Sequence, residues 1–304
     1  MIQFMWRHYR IEALIGGLLF LLSVAFIIFS RLTIGADLSP SNDQHLLTSI
    51  LPVFMLVSGL LPLLVGFFLG APLVAQEVER GTHRLAWTQS ITRTRWLARK
   101  LLVFSSAIFL LFGVLAAVLW WWSSSVSATH SNLATQGMWA TYDVQATVVV
   151  PYALFALALG VALGTLIRKT VPATFLTLVV FLIIRIGIEV ALRPIFLPPV
   201  PTFSHYDAIA GKFMTDTRVI AGAWEIAPPV DVDREGHQIS KATLTSLCPQ
   251  ESPACRQNHG IQTLTFYQPA GRFWLFQGIE ALLVLVLSGV LVTVTFWLLR
   301  RLPG

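Results

Sequence analysis

Of 304 residues only 21 are Lys or Arg and 15 are Asp or Glu, yet eight of these charges crowd into one stretch, QEVERGTHRLAWTQSITRTRWLARKL, from Gln76 to Leu101. They are Glu77, Glu79, Arg80, Arg84, Arg93, Arg95, Arg99 and Lys100. The residues between them read as helix breaks and caps. Glu77 and Glu79 carry a preceding helix into water, and Gly81 can end it in a left-handed cap. Thr82 can cap a short helix over THRLAWTQ, whose large apolar side chains are Leu85 and Trp87. Ser90 or Thr92 can cap the next helix, which takes Arg93, Arg95 and Lys100 into a following apolar run. The product is a short amphipathic helix held between two longer ones. It suits a lever seated in a partner's groove, because a rigid element passes on a partner's rotation that a loop would absorb. The plainer alternative is a solvated, positively charged loop.

Two other groups have the types and spacing for chemistry. Arg185 and Glu189 stand one helical turn apart in FLIIRIGIEVAL, and Glu280 lies about six residues inside the last apolar run. At about 1.5 Å per residue, Arg185 and Glu280 reach equal depth, about 9 Å below one face of a bilayer. Ionisable groups there cost roughly 2.5–3.5 kcal/mol each, so they need partners or a water-filled cavity. The expectation is an Arg185–Glu280 pair, with Glu189 bonding Arg185 or Arg193. Its role divides between a gate on a translocation path and a structural pin between two helices. The two cysteines, Cys248 and Cys255 in CPQESPAC, can close a small disulfide loop; two free thiols are the alternative.

Catalysis finds less support. The Gly211-Lys212 pair has Tyr206 where a phosphate-binding loop needs its first glycine, so ATP hydrolysis by that route is not expected of this chain. His205, His237 and His259 lack metal-ligand spacing, so no metal and no resident cofactor is expected. Neither a His-Glu-x-x-His nor a Gly-x-Ser-x-Gly motif occurs, and the carboxylates in the apolar runs have no histidine nearby.

The elements that position these residues follow from apolar run length. The chain is 55% hydrophobic and 12% charged, about half the charged fraction of a soluble domain. Six runs reach the length of about 20 residues that a spanning helix needs. They are Ala13–Arg31, Ile50–Ala75, Leu101–Trp122, Thr147–Ile167, Val171–Leu192 and Trp274–Leu299. Lipid offers backbone amides no partner, so an all-α integral membrane fold of six helices is expected, as one domain over residues 1–304. The first run is too long for a secretory signal and lacks a small-residue cleavage site.

Basic residues set the orientation. Arg7, Arg10, the six cations of the 76–100 connector, Arg168, Lys169, Arg300 and Arg301 fall on one side. The short loops on the other side hold only Arg31. Both termini and the connector are therefore expected in the cytoplasm, with residues 193–273 outside as a long, Pro-rich loop. Residues 1–12 read as an interfacial helix, with Ile2, Met5, Trp6 and Tyr9 on one face, or as an ordinary charged flank. Gly66-x-x-x-Gly70 and Gly160-x-x-x-Gly164 fit close helix packing.

The pattern Glu77-x-Glu79-x-Gly81-Thr82-x-x-Leu85, then Thr92-Arg93, then Lys100-Leu101, resembles the coupling segment between the second and third helices of ABC-2 type permeases. These are membrane subunits of bacterial ABC exporters. The family's Pro-x-Ser-Arg turn and Gly-Lys pair differ here, with Ser90 for proline, Thr92 for serine and Arg99 for glycine. YQPAGRFWLFQ, Tyr267 to Gln277, is also similar to a run before the last helix in a subgroup of these permeases. The resemblance implies a plasma-membrane permease that makes the translocation path. A separate ATPase, in two copies, would carry ATP and Mg and bind the connector. A second permease would complete a homo- or heterodimer. Nucleic acid is not expected as a partner. Two other classes stay open: a membrane-embedded lipid-modifying enzyme, and a non-transport component such as a sensor or assembly factor.

Overall fold

The computed structural model describes residues 61–79, 92–129, 145–207, 212–214, 222–249 and 252–301, besides positions 21, 24, 25, 27, 28, 59, 139, 142 and 143. The 1–12 helix and most of the first expected span lie outside the described residues, although Leu21, Val24, Ala25, Ile27 and Ile28 are helical. Among the described residues five helices are long and apolar enough to cross a membrane: Leu61–Glu79, Thr94–Val118, Thr147–Ile167, Thr170–Ile195 and Ala270–Arg301. The chain divides into two compact units.

The first unit is helical. It contains α1 (Ala71–Glu79), most of α2 (Arg93–Thr129), α3 (Ala146–Ile167), α4 (Thr170–Gly187) and the greater part of α7 (Phe273–Arg301). Ahead of α1 the helix widens into a π-helical segment, Val65–Gly70, where the Ala71 N–H bonds the Gly66 carbonyl. Pro72 accounts for the position of this change, since it has no N–H for the carbonyl one turn back. The helices on either side of this point pack on α3 through paired glycines. A methyl group at Gly160 would sit 2.7 Å from Gly70 Cα, and one at Gly164 would sit 2.6 Å from the Ala71 carbonyl oxygen. α3 is the enclosed helix of the unit, whereas α2, α4 and α7 leave most of their length uncovered. Leu102, Phe109, Leu110, Phe175, Ile183, Leu282 and Val286 are all exposed. In an apolar chain such faces meet lipid or another membrane helix.

α3 ends at Arg168, which takes a left-handed conformation with φ 60° and returns its N–H to the Gly164 carbonyl. This conformation reverses the chain within two residues, so that α4 starts at Thr170 beside α1.

The second unit corrects the all-α expectation. Residues expected as a long Pro-rich loop form an antiparallel sheet: β1 (Val200–Asp207), β2 (Lys212–Met214), β3 (Trp224–Glu225), β4 (Val230–Val232) and β5 (Gln262–Gln268). β5 is central. It pairs with β1 on one edge, Thr202 opposite Thr265, and with β4 and β3 on the other, Asp231 opposite Thr263 and Glu225 opposite Tyr267. The Asp233 carboxylate closes the turn after β4 by accepting the N–H groups of His237 and Glu235, both at 2.9 Å. The His237 bond above all holds its carboxyl below the usual range.

Between β4 and β5 stand two short helices, α5 (Lys241–Leu247) and α6 (Pro253–Asn258). Ser240 and Ser252 cap them by accepting the N–H groups of Thr243 and Cys255. Cys248 and Cys255 are joined by a disulfide, with Cα atoms 5.8 Å apart. Cys248 is buried with Leu244 and Ile261. Arg256 of α6 reaches the Asp231 carboxylate at 2.6 Å and so ties this hairpin to β4. A cross-link closing so short a loop is worth about 2–3 kcal/mol. Replacing both cysteines by serine should raise amide exchange across residues 239–268 and leave exchange in α3 and α7 unchanged.

The run Tyr267–Gln277 joins the sheet to α7, and most of its large side chains are buried. The Gln268 amide donates to the Leu197 carbonyl and accepts from Arg272, which also bonds the Pro198 carbonyl. Trp139 sits edge-on to Phe273 and Phe276, at 5.4 and 5.2 Å.

Candidate functional site

Two clusters of charge lie in the helical unit, at opposite ends of α4. The first is at the connector. Gly81, Thr82, Leu85 and Trp87 lie outside the described residues, but both feet of the connector are described. α1 ends at Glu79, and α2 begins at Arg93 with Thr92 accepting the Arg95 N–H. Of the two expected caps, Thr92 takes the role. Trp96, Leu97 and Lys100 recur at helical spacing on the face of α2 that is buried.

Lys100 is only 2% exposed, which an ammonium tolerates only with several partners. It bonds the Glu77 carboxylate, donates to the Leu73 carbonyl at 3.2 Å and lies 4.3 Å from the centre of the Trp96 ring. Glu77 and Lys100, expected as contacts for a partner, are thus engaged within the chain and lock α1 to α2. Glu79 reaches α4. Its Oε2 accepts the Thr170 backbone N–H at 2.9 Å and the Thr170 hydroxyl at 2.7 Å. The cap position of α4 is Lys169, which makes no side-chain cap bond. An ammonium has no acceptor to offer. Glu79 therefore caps α4 from a different helix, with its negative charge against the positive end of the helix dipole.

The second cluster surrounds Arg185, in the last turn of α4. Its guanidinium bonds Glu280 of α7 at 3.2 Å and Asp143 at 2.6 Å, and lies 4.2 Å from the centre of the Tyr152 ring. The Tyr152 hydroxyl donates to Glu280 at 2.9 Å. Glu280 has no exposed surface, whereas about a third of the Asp143 side chain is open. One turn earlier on α7, Gln277 accepts from Thr147 and donates to the Tyr142 carbonyl at 3.2 Å. Polar groups of α7 are thus matched to α3 and to the residues leading into it. The arrangement can hold three helical segments together, or release them if the ion pairs part.

The structure brings Arg185 and Glu280 together. Glu189, expected beside them, is exposed on the π-helical turn Ile188–Leu192, and the second carboxylate on Arg185 is Asp143. Asp143, Tyr152 and Thr170 were not candidates from the sequence. Asp143 left one signal, as the single Asp or Glu of the 123–146 loop and four residues ahead of the apolar run that starts at Thr147. A count of basic residues passes over it.

A family model described as ABC-2 membrane transporter related matches residues 38–193, about half of the chain. The matched stretch includes the connector, α1 to α4 and Arg185. No curated protein and no solved structure matches the chain.

Proposed function

Since this chain belongs to the ABC-2 membrane transporter related family, we propose that it is the permease subunit of an ATP-driven exporter that forms the translocation path and takes its energy from a separate ATPase. The observation that carries this reading is the build of the connector's base. Lys100 bonds Glu77, so the helices on either side of the connector are fastened together within two turns of it. A load on residues 80–91 is then delivered to a braced frame and not to two loose helix ends.

In this reading residues 76–100 face the cytoplasm, and Gly81, Thr82, Leu85, Trp87 and Arg93 meet the ATPase. Two ATPase copies bind ATP and Mg, and a second permease, identical or not, completes the path across the plasma membrane. The basic residues on the connector side support that orientation. The disulfide supports an exterior sheet unit, because such bonds persist in oxidising compartments. Closure of the ATPases on ATP would favour one state of the helices only if the connector binds differently in each. The chain itself contributes positioning and a path, with hydrolysis on its partner.

The test is co-expression with the ATPase encoded beside this chain. The wild-type chain should retain that ATPase through purification and change its turnover. Gly81→Pro and Trp87→Ala should each raise the Kd for the ATPase by about tenfold, the equivalent of roughly 1.4 kcal/mol. If the wild-type chain retains no ATPase, the transporter reading is wrong.

A further inference from the structure

The Glu79–Thr170 contact joins two parts of the molecule that the connector alone does not link. Glu79 is the last residue of α1, immediately ahead of the connector, and Thr170 is the first residue of α4. About four turns further along α4, roughly 22 Å away, is Arg185. α4 has no glycine between Thr170 and Arg185, and its single proline, Pro172, lies in the first turn, where proline is tolerated. Nothing in that interval invites a kink, so a displacement at one end reaches the other. Each end is held by carboxylates from elsewhere in the chain, through hydrogen bonds at the start and ion pairs in the last turn. Glu79 holds the start, and Asp143 and Glu280 hold the last turn. Between them the buried residues are confined to Ala173, Thr174, Thr177 and Phe181. Thr174 and Thr177 bond their own helix, to the Thr170 and Ala173 carbonyls, and so do not fasten α4 sideways.

We infer that Glu79 and Thr170 are positioning residues, forming a joint through which movement of the connector is passed along α4 to the Arg185–Glu280–Asp143 cluster. This rests on the transporter reading above and adds the route by which an ATPase reaches the far end of the helices. Glu77 and Lys100 make the connector's two feet move as one. Glu79 then draws α4 with them, and Arg185 is the load at the other end. A joint made by one carboxylate on one helix end can slip without unfolding either helix, as a coupling element requires.

The local backbone supplies a clean uncoupling variant. Lys169 has φ −122° and ψ 129°, the extended conformation that a residue before proline prefers. Thr170 occupies the first position of α4, where proline is favoured because that N–H has no partner within its own helix. Thr170→Pro therefore removes both hydrogen bonds to Glu79 and keeps α4 intact. Glu79→Gln keeps the joint, because the amide oxygen can accept from the same N–H and hydroxyl.

The experiment uses the full permease with its co-purified ATPase and a Glu189→Cys reporter. Glu189 is exposed just beyond α4, and the native cysteines are bonded to each other. The rate of labelling by a membrane-impermeant maleimide is measured with and without ATP and vanadate. On the wild-type background trapping should change that rate by at least about fivefold, a typical coupling between distant sites. Thr170→Pro should abolish this change while ATPase binding stays within about twofold, and Glu79→Gln should retain it. A role confined to stability would leave the response to nucleotide unaltered. The inference is overturned if Thr170→Pro responds as wild type does, or if the wild-type reporter does not respond although the ATPase is bound and turning over. If no ATPase binds the wild type, the transporter reading falls and takes this inference with it, a failure seen before any labelling is done.

Discussion

Arg185→Met destabilises the helical unit by roughly 3–5 kcal/mol, while Glu280→Gln costs about 1–2 kcal/mol. The asymmetry follows from the arrangement of charge. Arg185 is the cation on which Glu280 and Asp143 both converge. Removing it leaves two carboxylates facing each other where the guanidinium had been, one of them with no exposed surface. Glu280→Gln leaves Arg185 with Asp143, and the amide oxygen can still accept from Tyr152 and Arg185. The double variant Arg185→Met/Glu280→Met should recover part of the loss. Replacing a buried pair by apolar side chains removes the penalty that a lone charge incurs. Melting of the purified protein in detergent gives the ranking directly. If Glu280→Gln is as damaging as Arg185→Met, the cluster is held by shape and not by charge, and its use as a gate or a pin loses its physical basis.

How much of this could be read beforehand depends on how far apart the partners are in the chain. Runs of about 20 apolar residues are a local signal, and Ala146–Ile167 forms a helix where the run Thr147–Ile167 predicts one. The equal depth of Arg185 and Glu280 follows from counting along two helices, which needs no tertiary information. Asp143 is different. It lies on a short 3₁₀ turn outside the spans, and only the packing of α3 beside α4 brings it to the guanidinium. The sheet was hidden for a related reason. β1 pairs with β5 across some sixty residues, and β3 and β4 are two and three residues long. Short strands whose partners are distant give no periodic signal, and the prolines of LRPIFLPPVP and IAPPV read as loop. At the connector, residue types and spacing were legible, but not their use. Glu77, Glu79 and Lys100 resemble surface charges offered to a partner, and the fold engages all three within the chain.

The other large effect is expected at Gly160, where no charge is involved. A Cβ added there would lie 2.5 Å from Ala71 N and 2.7 Å from both Gly70 C and Gly70 Cα. All three atoms are backbone, so no side chain can rotate away, and the helices themselves must part. Overpacking of this kind costs roughly 1–3 kcal/mol for one methyl group and more for valine. Gly160→Ala should therefore lower the melting temperature measurably, and Gly160→Val should prevent accumulation of folded protein. Gly113 and Gly289 are helical controls with nothing among the described residues within 4 Å of the added carbon, and alanine at either should be neutral or mildly stabilising. Gly164→Ala, whose methyl group would meet the Ala71 carbonyl at 2.6 Å, should cost less on the Gly160→Ala background than alone. Once the helices have moved apart the second clash is partly relieved, which makes neighbouring sites non-additive. The same displacement moves α1 relative to α3 and α4, and α1 carries Glu77 and Glu79. Gly160→Ala should thus weaken the Glu79–Thr170 contact and reduce the nucleotide response at position 189 without touching a charged residue. A variant that melts lower yet responds to nucleotide as wild type would separate packing from coupling, and would show that the joint tolerates the shift.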